Sequence, residues 1–543
     1  MDKDCEILVT QGNRLFEQRR PLLALWQEIA ENFYPEMADF TATRNIGREF
    51  ADNLTTSYPC MVRRDLANVF STMLRPQDRP WFSMRVRRRP DLSEDSLRWL
   101  ESRTITMRNA LADPMSGFQR TMKNTDDGVS AFGQAIISCE MNWARRSFLF
   151  RSWHLRDVVW MEDETGTVCR VDRKWKPTAS EMNSIFKGKV HEKVKKCLEK
   201  EPYKQIEVRH TFMDAKNYKG GKETKNKKYV SIFYDVENKF VMEEVYTDTP
   251  FYAIPRWMTT MGSQYAYSPA TMLMLPDART LQTIQLTLLE AGQKAVDPPM
   301  IAVEDAIRSD IQVYAGGVTM VDADYDERLG EVLRPLTRDT RGIPLGMQMS
   351  EAIQQAIHSG FFLNKVGLPP MGSGMSQMEV SQRVAEYVRN AMPLFEPLEG
   401  EMNAKVLDLA FNVGVPNGLI GDKKDIPEEL LGENIDFEFY NPLREAEDKA
   451  KGGMLSEANA VLAQMAAYDQ SIPSILDVES ATRDVLNGIG APRKWFRTRE
   501  ELDQMKAAAE ERQQMQDLMA QINQGAATAE QVGRAGQAIQ GLQ

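Results

Sequence analysis

At 543 residues the chain is too long for one hydrophobic core and is expected to divide into several domains. Hydrophobic residues at 42% and charged residues at 27% are ordinary for a folded soluble protein, and no window reaches the roughly 18 uninterrupted apolar residues of a membrane span. The formal net charge of −11 argues against a protein that grips nucleic acid over its whole surface, and the start Met1-Asp2-Lys3-Asp4 is not a signal peptide, so an intracellular protein is expected.

The five cysteines (Cys5, Cys60, Cys139, Cys169, Cys197) lie far apart with no CxxC spacing, which suggests neither a disulfide framework nor a zinc site. Charge is unevenly placed. Between Arg173 and Lys228 stand 17 Lys plus Arg against 7 Asp plus Glu, a local excess of ten that leaves −21 on the remainder. Such a stretch fits a basic patch for phosphate or, more simply, a solvated helix followed by a lysine-rich hairpin tip.

In chain order, Leu8, Leu15, Leu22 and Leu25-Trp26 predict a helix from about Asp4 to Glu31, interrupted near Pro21. A second helical block runs from Asp52 to Leu74, Trp81 to Val86 alternates as a strand does, Leu97 to Ala112 is helical, and Phe118 to Ile137 reads as a helix broken at Gly133. Short β-type runs follow at Phe148–Phe150, Val158–Met161 and Val168–Val171, with a hairpin turn at Asp163-Glu164-Thr165-Gly166. Thr178-Ala179-Ser180-Glu181 is a capping box that should open a helix reaching about Leu198. Ile206 to Phe212 and Tyr229 to Tyr234 pair around the lysine-rich tip, with Phe240 to Tyr246 as a third strand. This is an α+β body.

Ser268-Pro269 then starts a long helix, with the hydroxyl at the cap and proline in the first turn, and Asp297-Pro298-Pro299 turns the chain. A second helix opens near Ser350 with Ile353, Ile357 and Phe361 on one stripe, and Gly367-Leu368-Pro369-Pro370 ends it. The insert between them, roughly Val296 to Leu345, reads as a small mixed α/β module. Ser376-Gln377-Met378-Glu379 caps a helix that Pro393 and Pro397 should kink, resuming through Met402 and Leu409 to Gly414. Phe437 to Tyr440 is a strand. From Glu445 onward the composition is helical, Thr498-Arg499-Glu500-Glu501 caps a final helix, and the last twenty or so residues are expected to fray.

Four histidines offer little for acid–base or metal chemistry, and His191-Glu192 lacks the second histidine of a zinc-protease helix. Gly220-Gly221-Lys222-Glu223-Thr224 lacks the first glycine and the Ser/Thr of a phosphate-binding loop, and Gly372-Ser373-Gly374 lacks the spacing of a nucleophile elbow. No catalytic residue, metal site or cofactor is expected.

Several pieces in this order resemble the portal (head-to-tail connector) proteins of short-tailed bacteriophages. They are Leu66-Ala67-Asn68-Val69-Phe70 with Pro80-Trp81-Phe82; Ser130-Ala131-Phe132-Gly133-Gln134-Ala135; Tyr267-Ser268-Pro269-Ala270 with Leu275-Pro276-Asp277-Ala278-Arg279-Thr280-Leu281; Ala295-Val296-Asp297-Pro298-Pro299; and Phe439-Tyr440-Asn441-Pro442-Leu443. At Met375 to Val380 the family usually shows a threonine-rich opening, from which this chain departs while keeping the cap.

The resemblance implies a mainly helical α+β fold: a wing or body over 1–266, a first stem helix over 267–296, a clip over 297–345 and a second stem helix over 346–364. A tunnel loop over 365–377, a kinked wing helix and return to the body over 378–444, and a helical crown with a frayed tail over 445–543 complete it. It further implies a ring of about twelve copies at one capsid vertex, closed by heterologous contacts, through which double-stranded DNA passes during packaging and ejection. The implied partners are the terminase large subunit, a tail adaptor, and the major capsid and scaffolding proteins, with assembly in the host cytoplasm and no membrane. Lys365, with Asn364 and Gln377, is the candidate DNA contact in the tunnel loop; Arg308, Arg328, Arg334, Arg338 and Arg341 are candidate clip contacts; Pro393 and Pro397 are the helix kink. The competing reading, a DNA-processing or motor enzyme, requires a nucleotide site or metal-binding carboxylates. A helical scaffold requires much longer uninterrupted heptads.

Overall fold

Pro21 was expected to interrupt the first helix, yet α1 (Lys3–Phe33) runs through it. Pro21 and Glu17 are both exposed, so the carbonyl that loses its amide partner can turn to water. The structure is a computed structural model that describes residues 3–42, 54–77, 80–87, 92–218, 226–302, 342–366, 389–390, 392–421 and 425–440, with short pieces between 307 and 335 and between 458 and 512. The chain divides into two units. The larger comprises Met1–Ser83, Ile105–Asp425 and Phe437–Ala446, the smaller Met84–Thr104, Ile426–Asp436 and Glu447–Gln543.

Beyond α1, α2 (Tyr58–Leu74) begins later than Asp52, with Pro59 in its first turn, and β1 (Phe82–Val86) forms a two-stranded sheet with the late strand Ile435–Phe439. α3 (Glu94–Ala112) follows. In the smaller unit Met84, Val86, Leu100 and Leu430 are buried, and the Glu429 carboxylate accepts from the hydroxyls of Ser93 and Ser96 at 2.7 and 2.8 Å. In the larger unit α4 (Phe118–Phe132) stops at Gly133, whose φ of 72° suits glycine. A helix continuing to Ile137 does not form. The chain instead turns into β2 (Ile136–Asn142), which pairs with β3 (Ser147–Trp153), so Ile136 and Ile137 are strand core.

The central sheet is an antiparallel run of β4 (Val158–Glu162), β5 (Val168–Trp175), β6 (Val208–Asp214), β7 (Tyr229–Asp235) and β8 (Phe240–Thr247) in that spatial order. Both faces are covered. Cys5, Leu8 and Val9 of α1 pack on Met213, Val230, Ile232 and Tyr234, and here buried arginines tie helix to sheet: Arg19 donates to the carbonyls of Val158 and Arg156 at 2.7 Å each. On the opposite face Met182, Phe186, Val190 and Val194 pack on Ile206, Val208 and Met242. The capping box at Thr178 and Glu181 forms, but its helix α5 (Ala179–Ile185) ends early because Lys187 and Gly188 take φ of 50° and 80°; α6 (Glu192–Lys200) restarts from His191. β9 (Tyr252–Ala253) adds to β2, and β10 (Met258–Thr259) pairs with β11 (Ala266–Tyr267).

α7 (Pro269–Val296) then leaves the body, about 42 Å long at the ordinary helical rise. β12 (Met300–Ala302) and β13 (Leu333–Pro335) pair antiparallel, and an isolated bridge joins Ile307 to Val321. The return helix α8 (Gly342–Gly360) starts well before Ser350, because Pro344 falls in its first turn, where no amide partner is lost. A one-turn helix, α9 (Leu363–Val366), follows. Val380, Val384 and the cap at Ser376, like the final capped helix at Thr498, lie outside the described residues.

Candidate functional site

The α7–α8 pair is rooted at one end and bare at the other. Ser268 Oγ caps α7 and donates to the Ser130 carbonyl at 2.7 Å, Thr271 Oγ1 donates to Ala131 at 2.7 Å, and the Gln282 side chain bonds the backbone of Thr55 and Thr56. Arg279 pairs with Glu28. On α8, Tyr58 Oη reaches the Gln354 carbonyl at 3.1 Å, and Ile357 and Phe361 are fully buried, Phe361 against Phe33 at 5.4 Å. Between the helices glycines allow close approach. A Cβ on Gly346 would stand 2.8 Å from Leu288, and one on Gly360 2.3 Å from Met274 Sδ.

Farther along, both helices carry apolar side chains that the protomer leaves exposed. On α7, Leu286 (47%), Leu289 (54%) and Val296 (88%) follow helical spacing; on α8, Leu345 (61%) and Met349 (50%) do so and continue into exposed Ala352 and Ala356. Little charge guards them, since Glu290 and Lys294 pair with each other and Glu351 is the one carboxylate of α8. Contiguous apolar surface of this kind on a folded chain marks an interaction face. The stripe was readable in the sequence as a three–four spacing beside the buried one, but nothing there separates a face buried within the chain from one buried between chains.

After α8, Phe362 takes φ of 60°, an uncommon conformation for a bulky residue, and accepts from the Lys365 amide at 2.9 Å. Asn364 and Lys365 are exposed, and the Lys365 ammonium lies over the Phe362 ring at 5.6 Å. Gln377 lies outside the described residues, as do Arg308, Arg328, Arg338 and Arg341. Arg334 is exposed on β13, opposite Ile301. Pro393 and Pro397 sit on the exposed side of a helical segment, 392–398, whose Phe395 and Leu398 are buried. Two residues beyond Pro397 the helix widens into a π-helix, Glu399–Ala404, before resuming as α10 (Lys405–Gly414). That turn carries Asn403, which donates to the Leu74 carbonyl at 3.1 Å and accepts from Arg75 at 3.0 Å, while Arg75 also pairs with buried Asp126.

Among the described residues no group of three or more His, Cys, Asp or Glu could hold a metal ion, and no helix is long and apolar enough to cross a membrane. The family model for bacteriophage head-to-tail connecting proteins matches residues 8–497. The chain belongs to that family. It is 22% identical over 495 residues to the portal protein of Salmonella phage epsilon15, covering 88% of this chain and 86% of that one. Solved structures with some likeness are the virion of a native gene transfer agent particle (TM-score 0.33, 9% identity, 76% of this chain and 87% of that chain) and the neck of an empty gene transfer agent particle (TM-score 0.33, 11% identity, 74% and 86%). As a portal protein the chain is a structural component of the virion at the capsid vertex, and its mixed helix-and-strand architecture is the α+β fold expected. The comparisons lend nothing to the reading as an enzyme.

Proposed function

We propose that about twelve copies close into a ring by heterologous contacts, one copy's α7 stripe packing on the next copy's α8 stripe, and that double-stranded DNA passes through the hole during packaging and ejection. The observation that carries this is the pair of exposed, charge-poor apolar stripes on helices whose roots are firmly anchored. A rigid strut with an uncovered apolar face needs a neighbour, and two different faces on one hairpin let identical copies follow one another. A −11 chain repeated around a bore makes a mostly repulsive wall, so duplex, with roughly one charge per 1.7 Å, slides without sticking.

Within that reading the segment after α8 is the tunnel loop. Lys365, its ammonium over the Phe362 ring, and Asn364 with Gln377 supply sparse polar contacts to the phosphates. The module carrying β12 and β13 docks the terminase large subunit and later the tail adaptor through Arg334 and its companions Arg308, Arg328, Arg338 and Arg341. The proline-bearing helix and its π-turn couple the loop to the body, and the remaining surface meets the capsid and scaffolding proteins in the host cytoplasm. A tag on this chain should be detected at a single vertex of the virion, adjoining the tail, and the purified protein should hydrolyse no nucleotide. Labels over all vertices, or none in mature virions, would overturn the reading.

A further inference from the structure

The proposed ring and channel make no use of the basic stretch between Arg173 and Lys228, and the structure sorts most charges of its described residues into two sets. In the first they are buried or compensated. Arg173 lies over the Trp153 ring at 3.8 Å, Lys174 and Arg209 stack on Phe16, Lys216 pairs with Asp214 at 3.4 Å, and Lys227 pairs with Asp248. The second set stands on the α5–α6 layer that covers one face of the central sheet. Lys187, Lys189, Lys193, Lys196, Lys200 and Lys204 are all exposed there, and none is ion-paired among the described residues.

Their arrangement is not that of a randomly solvated helix. On α6, Val194 is buried at 1% exposure and fixes the inward side. Lys193, Lys196 and Lys200 recur at i, i+3 and i+7 on one strip, which adjoins a mixed strip of Glu192, Lys195 and Glu199. The lysine row rises about 10 Å along the helix without a carboxylate in it. From Lys174 to Val208 the chain carries no arginine. Protein interfaces enrich arginine and deplete lysine, and arginine's planar fork serves specific recognition. A helical row of flexible point charges instead suits a repeating phosphate backbone held without regard to sequence.

We propose that the α5–α6 layer is a second DNA contact, holding duplex by its phosphates without threading it. The choice of DNA among polyanions rests on the portal reading; the electrostatic contact does not. The test is binding of the full-length protein to relaxed, closed-circular duplex, which has no end to enter a ring, across a salt series. The intact protein should bind, and the combined change Lys193→Gln, Lys196→Gln, Lys200→Gln should weaken binding roughly tenfold at low salt and lower the slope of log K against log salt by about three. Imaging of the same samples reports assembly separately. Loss of rings with circular DNA still bound refutes the proposed ring and leaves this contact standing. Unchanged affinity and slope in the variant overturns the proposal, and so does polyglutamate competing as well as duplex at equal charge, which would assign the row to an acidic protein surface.

Discussion

His210 sits fully buried in the central sheet, its Nδ1 2.7 Å from Tyr252 Oη, its Nε2 2.8 Å from Ser231 Oγ, and its ring stacked on Phe233 at 4.1 Å. Burial, with Arg173 adding to it, holds its pKa well below the usual histidine value. The unfolded chain therefore takes up a proton near pH 6.5 that the native one refuses. The stability this residue contributes is complete above that pH and is lost as pH falls through it, at about 1.4 kcal/mol per pH unit. Thermal melts between pH 5 and 7 should show a shallower pH dependence for His210→Gln than for the parent, and identical slopes would contradict the assignment. Gly133 is the residue least open to change: besides its positive φ, an added Cβ would fall 2.0 Å from the Tyr267 carbonyl carbon, which is backbone and cannot rotate away. Gly133→Ala should cost about 3 kcal/mol or more, read as a fall in melting temperature; a change within about 0.5 kcal/mol would mean that the α4–β11 approach is looser than described.

At the scale of elements, what the sequence made legible was the chemistry of ends. Ser268 and the Thr178–Glu181 box cap helices where they should, Gly133 stops α4, and Asp163 to Gly166 turns the β4–β5 hairpin. The misreadings share a cause, since local signals do not report solvent exposure or the sheet. Pro21 survives inside α1 because water is available, α5 stops at Lys187 and Gly188 inside a pattern that otherwise reads as one helix, and Ile136 and Ile137 became strand because β3 was there to pair with them. For the candidate site, the sequence located the helix pair but not the uncovered stripes, because local spacing does not report which faces the folded chain leaves exposed. Replacing Leu286 and Leu289 together by lysine keeps helix propensity nearly unchanged while charging the stripe. The double variant should keep its circular dichroism and lose its large assembly by light scattering; intact assemblies would show that the contact lies elsewhere.

For the whole molecule, family membership across residues 8–497 places the chain at the junction of head and tail. Its function then depends on what many copies make together. In the proposed assembly, identical chains stand side by side around a duplex-wide hole, joined through α7 and α8. Single-particle electron cryomicroscopy of the purified assembly tests this most directly. The expected result is a closed annulus in which Leu286, Leu289 and Val296 of each copy are buried against the α8 of the next; solitary particles, or rings in which those side chains remain in solvent, would contradict the proposed assembly.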